Sequence, residues 1–243
     1  MQPNTKTIKH QFKKSIDKYN ENAIIQKQIA EILINKLPDK KYIDILEIGA
    51  GSGLLTEQIS KHCSYENYYA NDLVEKSEIY IKKFIPNCKF TSGDFRKIKF
   101  NAKFDLIAAN AVFQWYENLE KIFEQCRQLL KPNGILAFST FSPENYKEIK
   151  TLTGLSLNYK TQDEIIQILN KNFKIIDTET YLKTIHFDNP LKILAHMKNT
   201  GVNSLSDKPM NIKDIKHFCE QYKNSYPNCE LTYSPIIVIA ELK

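Results

Sequence analysis

The sequence predicts an α/β fold built on a doubly wound, mostly parallel sheet, and three observations carry that prediction. From Tyr42 to Phe141, short apolar runs alternate with stretches of helical period, the pattern of strands joined by crossover helices. The first apolar run, "YIDILEIG", passes straight into Gly49, Gly51 and Gly53, a turn chemistry suited to a strand that hands over to a helix. The chain has 243 residues and is 42% hydrophobic, enough to bury one large core as a single domain.

Ahead of the first strand, Phe12, Ile16, Tyr19 and Ala23, then Ile29, Leu33 and Leu37, recur mostly at spacings of three and four. That period predicts an amphipathic helical segment over residues 1–40, ended by Pro38. "LLTEQISKHC" is the helix after the glycines. The next strands are "NYYAND", "CKFTSGD", "FDLIAANAV" and "GILAFSTF", separated by helices such as "KSEIYIKKFI" and "NLEKIFEQCRQLLK". Beyond Phe141 the alternation changes. "TQDEIIQILN" predicts a helix, "FKIIDTETYLKTIHF" one long strand, "PLKILAHMKNT" and "NIKDIKHFCEQY" helices, and "LTYSPIIVIAEL" a closing strand. There is no internal repeat and no low-complexity linker.

The five cysteines are odd in number, include no C-x-x-C and show no metal-like pairing with the five histidines. They read as reduced thiols, and no metal is expected. Neither a signal-peptide run nor 18 consecutive apolar residues occurs, so the expected localisation is cytoplasmic. Net charge is +6, and of 34 basic side chains only Arg96 and Arg127 are arginine. An AT-rich gene also yields a lysine-rich chain, so charge alone decides little about partners.

A glycine-rich turn between strand and helix lets backbone N–H groups approach a ligand with no Cβ in the way. The spacing here is G-x-G-x-G, with Leu54 where a dinucleotide fingerprint has its third glycine, and no G-K-[ST] follows as a Walker loop requires. With Glu47 ahead of Gly49, the segment resembles the first motif of class I S-adenosylmethionine-dependent methyltransferases. Asp72 ends the second strand, where a carboxylate holds ribose hydroxyls. Asp94, in "TSGDF", follows the third, where this class accepts a bond from the adenine amino group. Each acid alone also reads as a helix cap or turn aspartate. Their order behind the glycines points to S-adenosylmethionine, released as S-adenosylhomocysteine. The resemblance implies a Rossmann-like sheet of seven strands. It also implies cofactor-binding roles for Tyr19, Gln26, Glu47, Gly49, Gly51, Asp72, Leu73, Asp94, Phe95 and Asn110.

Four segments narrow the resemblance: "YNENAIIQ" in the opening helix, "NAVFQWYENL" after the fourth strand, "MKNTGVNSL", and the closing "LTYSPIIVIAEL". In that order they look like malonyl-acyl-carrier-protein O-methyltransferases, which open the pimelate branch of biotin synthesis. The Asn…Gln-Trp segment also resembles methyltransferases that esterify trans-aconitate, the alternative reading. The family resemblance implies that residues 1–40 lie over the cofactor site and that a helical lid, about 186–228, is inserted between the last two strands. Asn133 replaces a usual glycine and Ile16 a small residue, and neither is expected to touch the ligand.

A carboxylate, with a pKa of about 4, is ionised at neutral pH and needs no general base to accept a methyl group. The histidines are accordingly scattered, with none in the motif segments. Fixed geometry and exclusion of water would carry catalysis. With so few arginines, the expected carboxylate-positioning residues are Tyr19, Gln114 and Trp115, whose O–H, N–H₂ and indole N–H are donors; for Tyr19 and Trp115, core packing is the competing role. Arg127 is expected to face away, whereas Arg96 can reach the site. The stretch from Lys183 to Cys229 is lysine-rich, and Lys192, Lys198, Lys213 and Lys216 are candidate contacts for an acidic malonyl-carrier protein, though ordinary solvated lysines are the competing role. No N/D-P-P-Y/F segment and no arginine-rich stretch supports nucleic-acid binding, and no membrane partner is expected. The protein is expected to act as a monomer.

Overall fold

A computed structural model describes residues 4–201 and 211–243. Its centre is a seven-stranded sheet in the order β3-β2-β1-β4-β5-β9-β6. These strands are β1 (Tyr42–Ile48), β2 (Tyr65–Asp72), β3 (Lys89–Ser92), β4 (Phe104–Ala109), β5 (Leu130–Phe141), β6 (Phe173–Thr180) and β9 (Pro235–Leu242). β1 to β5 run parallel, and β9 is antiparallel to both of its neighbours, β5 and β6. The order reverses at β1, which pairs with β2 on one side and β4 on the other, so loops at the carboxyl ends of β1 and β4 diverge and leave a crevice.

The apolar runs are nearly continuous because both sheet faces are covered. Ile45 packs with α2 (Ile24–Asn35) and the buried Leu106 and Ile237 in one core. Its neighbour Leu46 falls into the second core with Ile107, Phe138 and Val238. Each such fully buried aliphatic side chain contributes about 1.5–3 kcal/mol. The crossover helices are α3 (Leu54–His62), α4 (Ser77–Phe84) and α5 (Leu119–Leu129), and α7 (Gln162–Leu169) leads into β6. α7 opens with a capping box between Thr161 and Glu164.

The sequence expectation is corrected in three places. The opening segment is two helices, α1 (Thr5–Asn22) and α2, because Ala23 leaves helical geometry at φ −86°, ψ 46°. The break falls in the gap between Ala23 and Ile29, where the three-and-four spacing lapses. The long strand expected over 173–187 divides into β6 and β7 (Lys183–His186), and the closing one into β8 (Glu230–Tyr233) and β9. Ser234 interrupts the latter, since its N–H donates to Asn145 Oδ1 and its carbonyl accepts from Ser142 N–H. Pro235 after it has no N–H to give. The helical insertion lies between β7 and β8, which form their own two-stranded sheet. Of this insertion α8 (Pro190–Asn199) and α9 (Ile212–Ser225) are described; Val202–Leu205 of the motif segment "MKNTGVNSL" lie outside the described residues. α6 (Lys147–Thr153), unforeseen in the sequence, packs against α9 and β8.

Candidate active site

The crevice at the carboxyl ends of β1, β2 and β4 opens into a cleft of about 970 Å³ of empty space, part of it open to solvent. Its floor is the glycine turn. A Cβ on Gly49 would strike the Val112 side chain at 2.4 Å, and one on Gly53 would press on Phe84 at 3.1 Å, so both glycines serve close packing. Gly51 differs: at φ +54° its Cβ would meet no atom nearer than Gly49 O at 3.9 Å, and it faces the cleft. It alone of the three leaves room for a ligand against the backbone.

Two buried acids flank the turn. Asp72 Oδ2 accepts from Gly51 N–H at 2.8 Å and Oδ1 from Val74 N–H at 2.7 Å, so the end of β2 holds the turn after β1. Burial raises its pKa, and the two backbone donors oppose that shift. Glu47, 1% exposed, accepts from Thr56 Oγ1 at 2.5 Å and from the Tyr68 hydroxyl. Burial pushes its pKa up to about 7. Leu73, Phe95 and Asn110 also line the cleft. Asn110 is braced, donating from Nδ2 to Gln26 O at 2.9 Å and accepting from Ser139 Oγ at 2.6 Å.

α1 closes the cleft with Ile8, Phe12, Ile16 and Tyr19, one helical face at spacings of four and three. Ile16 thus lines the cleft, against the expectation that it lies clear of the ligand; Asn133 is exposed within β5, at the irregularity in its pairing with β4, in left-handed geometry, φ +59°, which asparagine tolerates. Asp94 meets the cleft already engaged. Arg96 donates from Nε to Asp94 Oδ1 at 2.9 Å and from Nη2 to Oδ2 at 2.5 Å, holding the Asp94 carboxyl below its ordinary pKa. The same guanidinium donates to Thr5 Oγ1 at 2.9 Å and lies over the Tyr116 ring. Arg96 reaches the site as a clasp between α1 and Asp94. Arg127 pairs with Glu124 and lines neither this cleft nor the cavity below it.

Below the cleft lies a second, smaller cavity of about 340 Å³ of empty space, part of it open to solvent. The two share Phe12, Tyr19, Ala111 and Trp115. The Tyr19 hydroxyl and the Trp115 indole N–H have no hydrogen-bond acceptor among the described residues, and Trp115 is fixed edge-on to Phe12 at 6.0 Å. Gln114 lines the second cavity, but its Nε2 donates to Ala111 O at 2.6 Å. That bond helps hold Ala111 at φ +55°. Gln26, expected beside the cofactor, is found in the second cavity instead, because the break at Ala23 turns α2 away from the cleft.

The sequence reading missed Asn145, Tyr146, Leu157 and Tyr159, which form the far wall of the second cavity. Tyr146 takes a left-handed φ of +57°, an outlier for an aromatic residue, and donates to the Tyr233 hydroxyl at 2.8 Å, which meets His196 Nε2 at 2.6 Å. Their only sequence signal was "SPENY", a polar turn at the carboxyl end of β5, where open α/β sheets bind ligands. Lys192, Lys198, Lys213 and Lys216 are exposed on α8 and α9, in no ion pair among the described residues and lining neither cavity.

The family model described as "Methyltransferase domain" matches residues 46–138. A curated protein of Calditerrivibrio nitroreducens named malonyl-[acyl-carrier protein] O-methyltransferase is 37% identical over 238 residues, 96% of this chain and 95% of that one. One of the same name from Bacteroides thetaiotaomicron is 34% identical, covering 99% of each. Among solved structures, N-methyltransferase NodS of Bradyrhizobium japonicum in complex with S-adenosylhomocysteine superposes with a TM-score of 0.60 at 11% identity, over 97% of this chain and 98% of that one. A methyltransferase-like protein of Bacillus halodurans gives 0.64 at 14%, over 87% and 97%. At those identities the structural likeness concerns the fold.

Proposed function

The chain belongs to the malonyl-[acyl-carrier protein] O-methyltransferase family, and from that premise we propose that it methylates the free carboxylate of a malonyl-carrier thioester, the step that primes pimeloyl synthesis for biotin. The observation that carries the reading is the joining of two spaces at Phe12, Tyr19, Ala111 and Trp115: a cleft built on an open glycine turn and a buried aspartate, and a smaller cavity with no charged side chain in its wall.

The cleft fits S-adenosylmethionine. Gly51 leaves space that a Cβ would fill, Asp72 keeps lone pairs for ribose hydroxyls after its two backbone bonds, and the Tyr19 hydroxyl has no acceptor of its own among the described residues. When bound, the cofactor supplies an electrophilic methyl on a sulfonium. Leu73 and Phe95 would hold the adenine, and Asp94, kept ionised by Arg96, would accept from its amino group with the lone pairs left over. Glu47 and Asn110 act from behind, holding the turn and the strand ends in place.

At the junction the acceptor arrives as an anion, so no residue has to remove a proton. Trp115 and Tyr19 donate to the carboxylate and hold one oxygen in line with the methyl, while Phe12, Ile16 and Trp115 keep water out. Gln114 acts by holding Ala111 at the neck between the two spaces. The product is neutral, and the junction holds no cation to retain it. Exposed lysines Lys192, Lys198, Lys213 and Lys216 attract an acidic carrier. The protein works as a cytoplasmic monomer in this reading; no helix among the described residues is long and apolar enough to cross a membrane.

Transfer of a labelled methyl group from S-adenosylmethionine to malonyl-carrier protein, beside malonyl-coenzyme A and free trans-aconitate, tests it. The carrier-bound acid is expected to be preferred by at least tenfold in kcat/KM. Preference for free trans-aconitate would move the protein to the small-acid methyltransferases.

A further inference from the structure

In-line displacement requires the acceptor oxygen to approach the methyl from the side opposite the sulfur. An acceptor therefore cannot enter past a seated cofactor and must come from the second cavity. That cavity meets the cleft at one end; at the other it meets a surface groove of about 780 Å³, with Leu157 and Tyr159 lining both. Both residues lie in 154–161, the stretch between α6 and α7 that is neither helix nor strand. Cleft, cavity and groove thus form one line of neighbouring spaces, each sharing lining residues with the next.

We propose that this line is the acceptor's route: the malonyl end occupies the second cavity, and its thioester arm runs out under Leu157 and Tyr159 into the groove, where Lys150 meets the arm's phosphodiester. The proposal rests on the carrier-protein reading above and names the site of that substrate.

The cavity's chemistry suits an acyl group with oxygens at both ends. Its wall has no charged side chain, so nothing traps the carboxylate away from the junction. Its donors are neutral. The Tyr159 hydroxyl accepts from Asn145 Nδ2 at 3.1 Å, and its own proton has no acceptor among the described residues. Gln26 is 4% exposed, and its Oε1 has no hydrogen-bond partner among the described residues, an expensive state for a buried polar atom. Leu157, 4% exposed, gives an apolar passage for the methylenes of the arm. Outside, Lys147 and Lys150 lie one turn apart on α6, exposed and in no ion pair among the described residues, while Glu117 lines the groove.

Leu157→Trp fills the junction of cavity and groove. Calorimetry should give S-adenosylhomocysteine affinity within twofold of wild type, which also reports folding, while methyl transfer to malonyl-carrier protein falls at least twentyfold. Disulfide trapping gives an answer independent of turnover. The holo-carrier, whose arm ends in a thiol, is treated with diamide in the presence of Asn158→Cys, or of Lys6→Cys on the helix over the cleft. Each disulfide forms from two thiols as diamide takes up two electrons and two protons. The adduct at Asn158→Cys is expected to exceed that at Lys6→Cys and the wild-type background at least fivefold. Wild-type transfer rates in Leu157→Trp, or trapping at Lys6→Cys in place of Asn158→Cys, overturn the route alone. Wild-type protein that methylates no malonyl-carrier protein overturns the functional reading, and the route falls with it.

Discussion

Asp72 holds Gly51: the carboxylate at the end of β2 accepts the Gly51 N–H at 2.8 Å and so fixes the turn that follows β1. One side chain therefore both shapes the turn and lines the cleft. Asp72→Ala is expected to weaken S-adenosylhomocysteine affinity at least tenfold by calorimetry, since charge-assisted hydrogen bonds are worth about 1.5–3 kcal/mol each. Asp72→Asn, which keeps one acceptor for the turn, should recover the thermal stability of wild type better than its affinity. Equal affinity in all three proteins would leave Asp72 a purely structural role.

Gly51→Val places a branched side chain at the glycine of the turn whose missing Cβ leaves free space beside the cleft. Strain at φ +54° costs about 1–3 kcal/mol, so the variant should fold with a lowered Tm. Its cofactor binding should be lost. Affinity within threefold of wild type would show that no ligand approaches this backbone.

Two buried groups titrate with opposite effects on stability. Glu47 has its pKa raised from 4.5 to about 7, so the folded protein binds the extra proton between those values. Its contribution is fully present below about 4.5 and is lost as pH rises through 7. His196 is lowered from 6.5 to about 4 by burial. Its contribution is present above 6.5 and is lost as pH falls towards 4. Each amounts to on the order of 3 kcal/mol, and between pH 4.5 and 6.5 they offset one another. Relative to wild type, Glu47→Gln should lose stability on acidification across that window in urea melts, and His196→Gln should gain it. Parallel pH profiles for the three proteins would contradict both assignments.

Docking and transfer are expected to respond to different substitutions. Changing Lys192, Lys198, Lys213 and Lys216 to alanine should raise KM for malonyl-carrier protein at low salt and leave malonyl-coenzyme A nearly unchanged, with the difference fading as salt rises, since the screening length is about 8 Å at physiological ionic strength. Trp115→Phe and Gln114→Ala should instead lower kcat at least tenfold on both substrates, with cofactor affinity within threefold. Lysine variants indistinguishable from wild type on the carrier substrate would remove α8 and α9 from the docking surface.

Much of the cleft lining was legible in the sequence because its parts are local. Gly51, Asp72 and Asp94 each sit at a strand end, and the strand–helix alternation puts successive strand ends on one edge of the sheet. The second cavity was not legible. Gln26 comes from α2, Asn145 and Tyr146 from the turn after β5, Leu157 and Tyr159 from an irregular stretch, and Thr200 from the end of α8. No short-range period links them.

By itself, the sequence determined the order of strands and helices, the glycine turn and the acids behind it, since these follow from side-chain periodicity and from the backbone freedom of single residues. The tertiary structure alone decided which glycine has free space where a Cβ would sit, that Arg96 is already spent on Asp94, and that the opening segment breaks at Ala23 so that Tyr19 faces the cleft while Gln26 faces the cavity beneath. The reason is the range of the contacts. Gly49 meets Val112, Asn110 holds Gln26 and Tyr146 meets Tyr233 across long stretches of chain, and such pairings exist only once the sheet has brought its strand ends together.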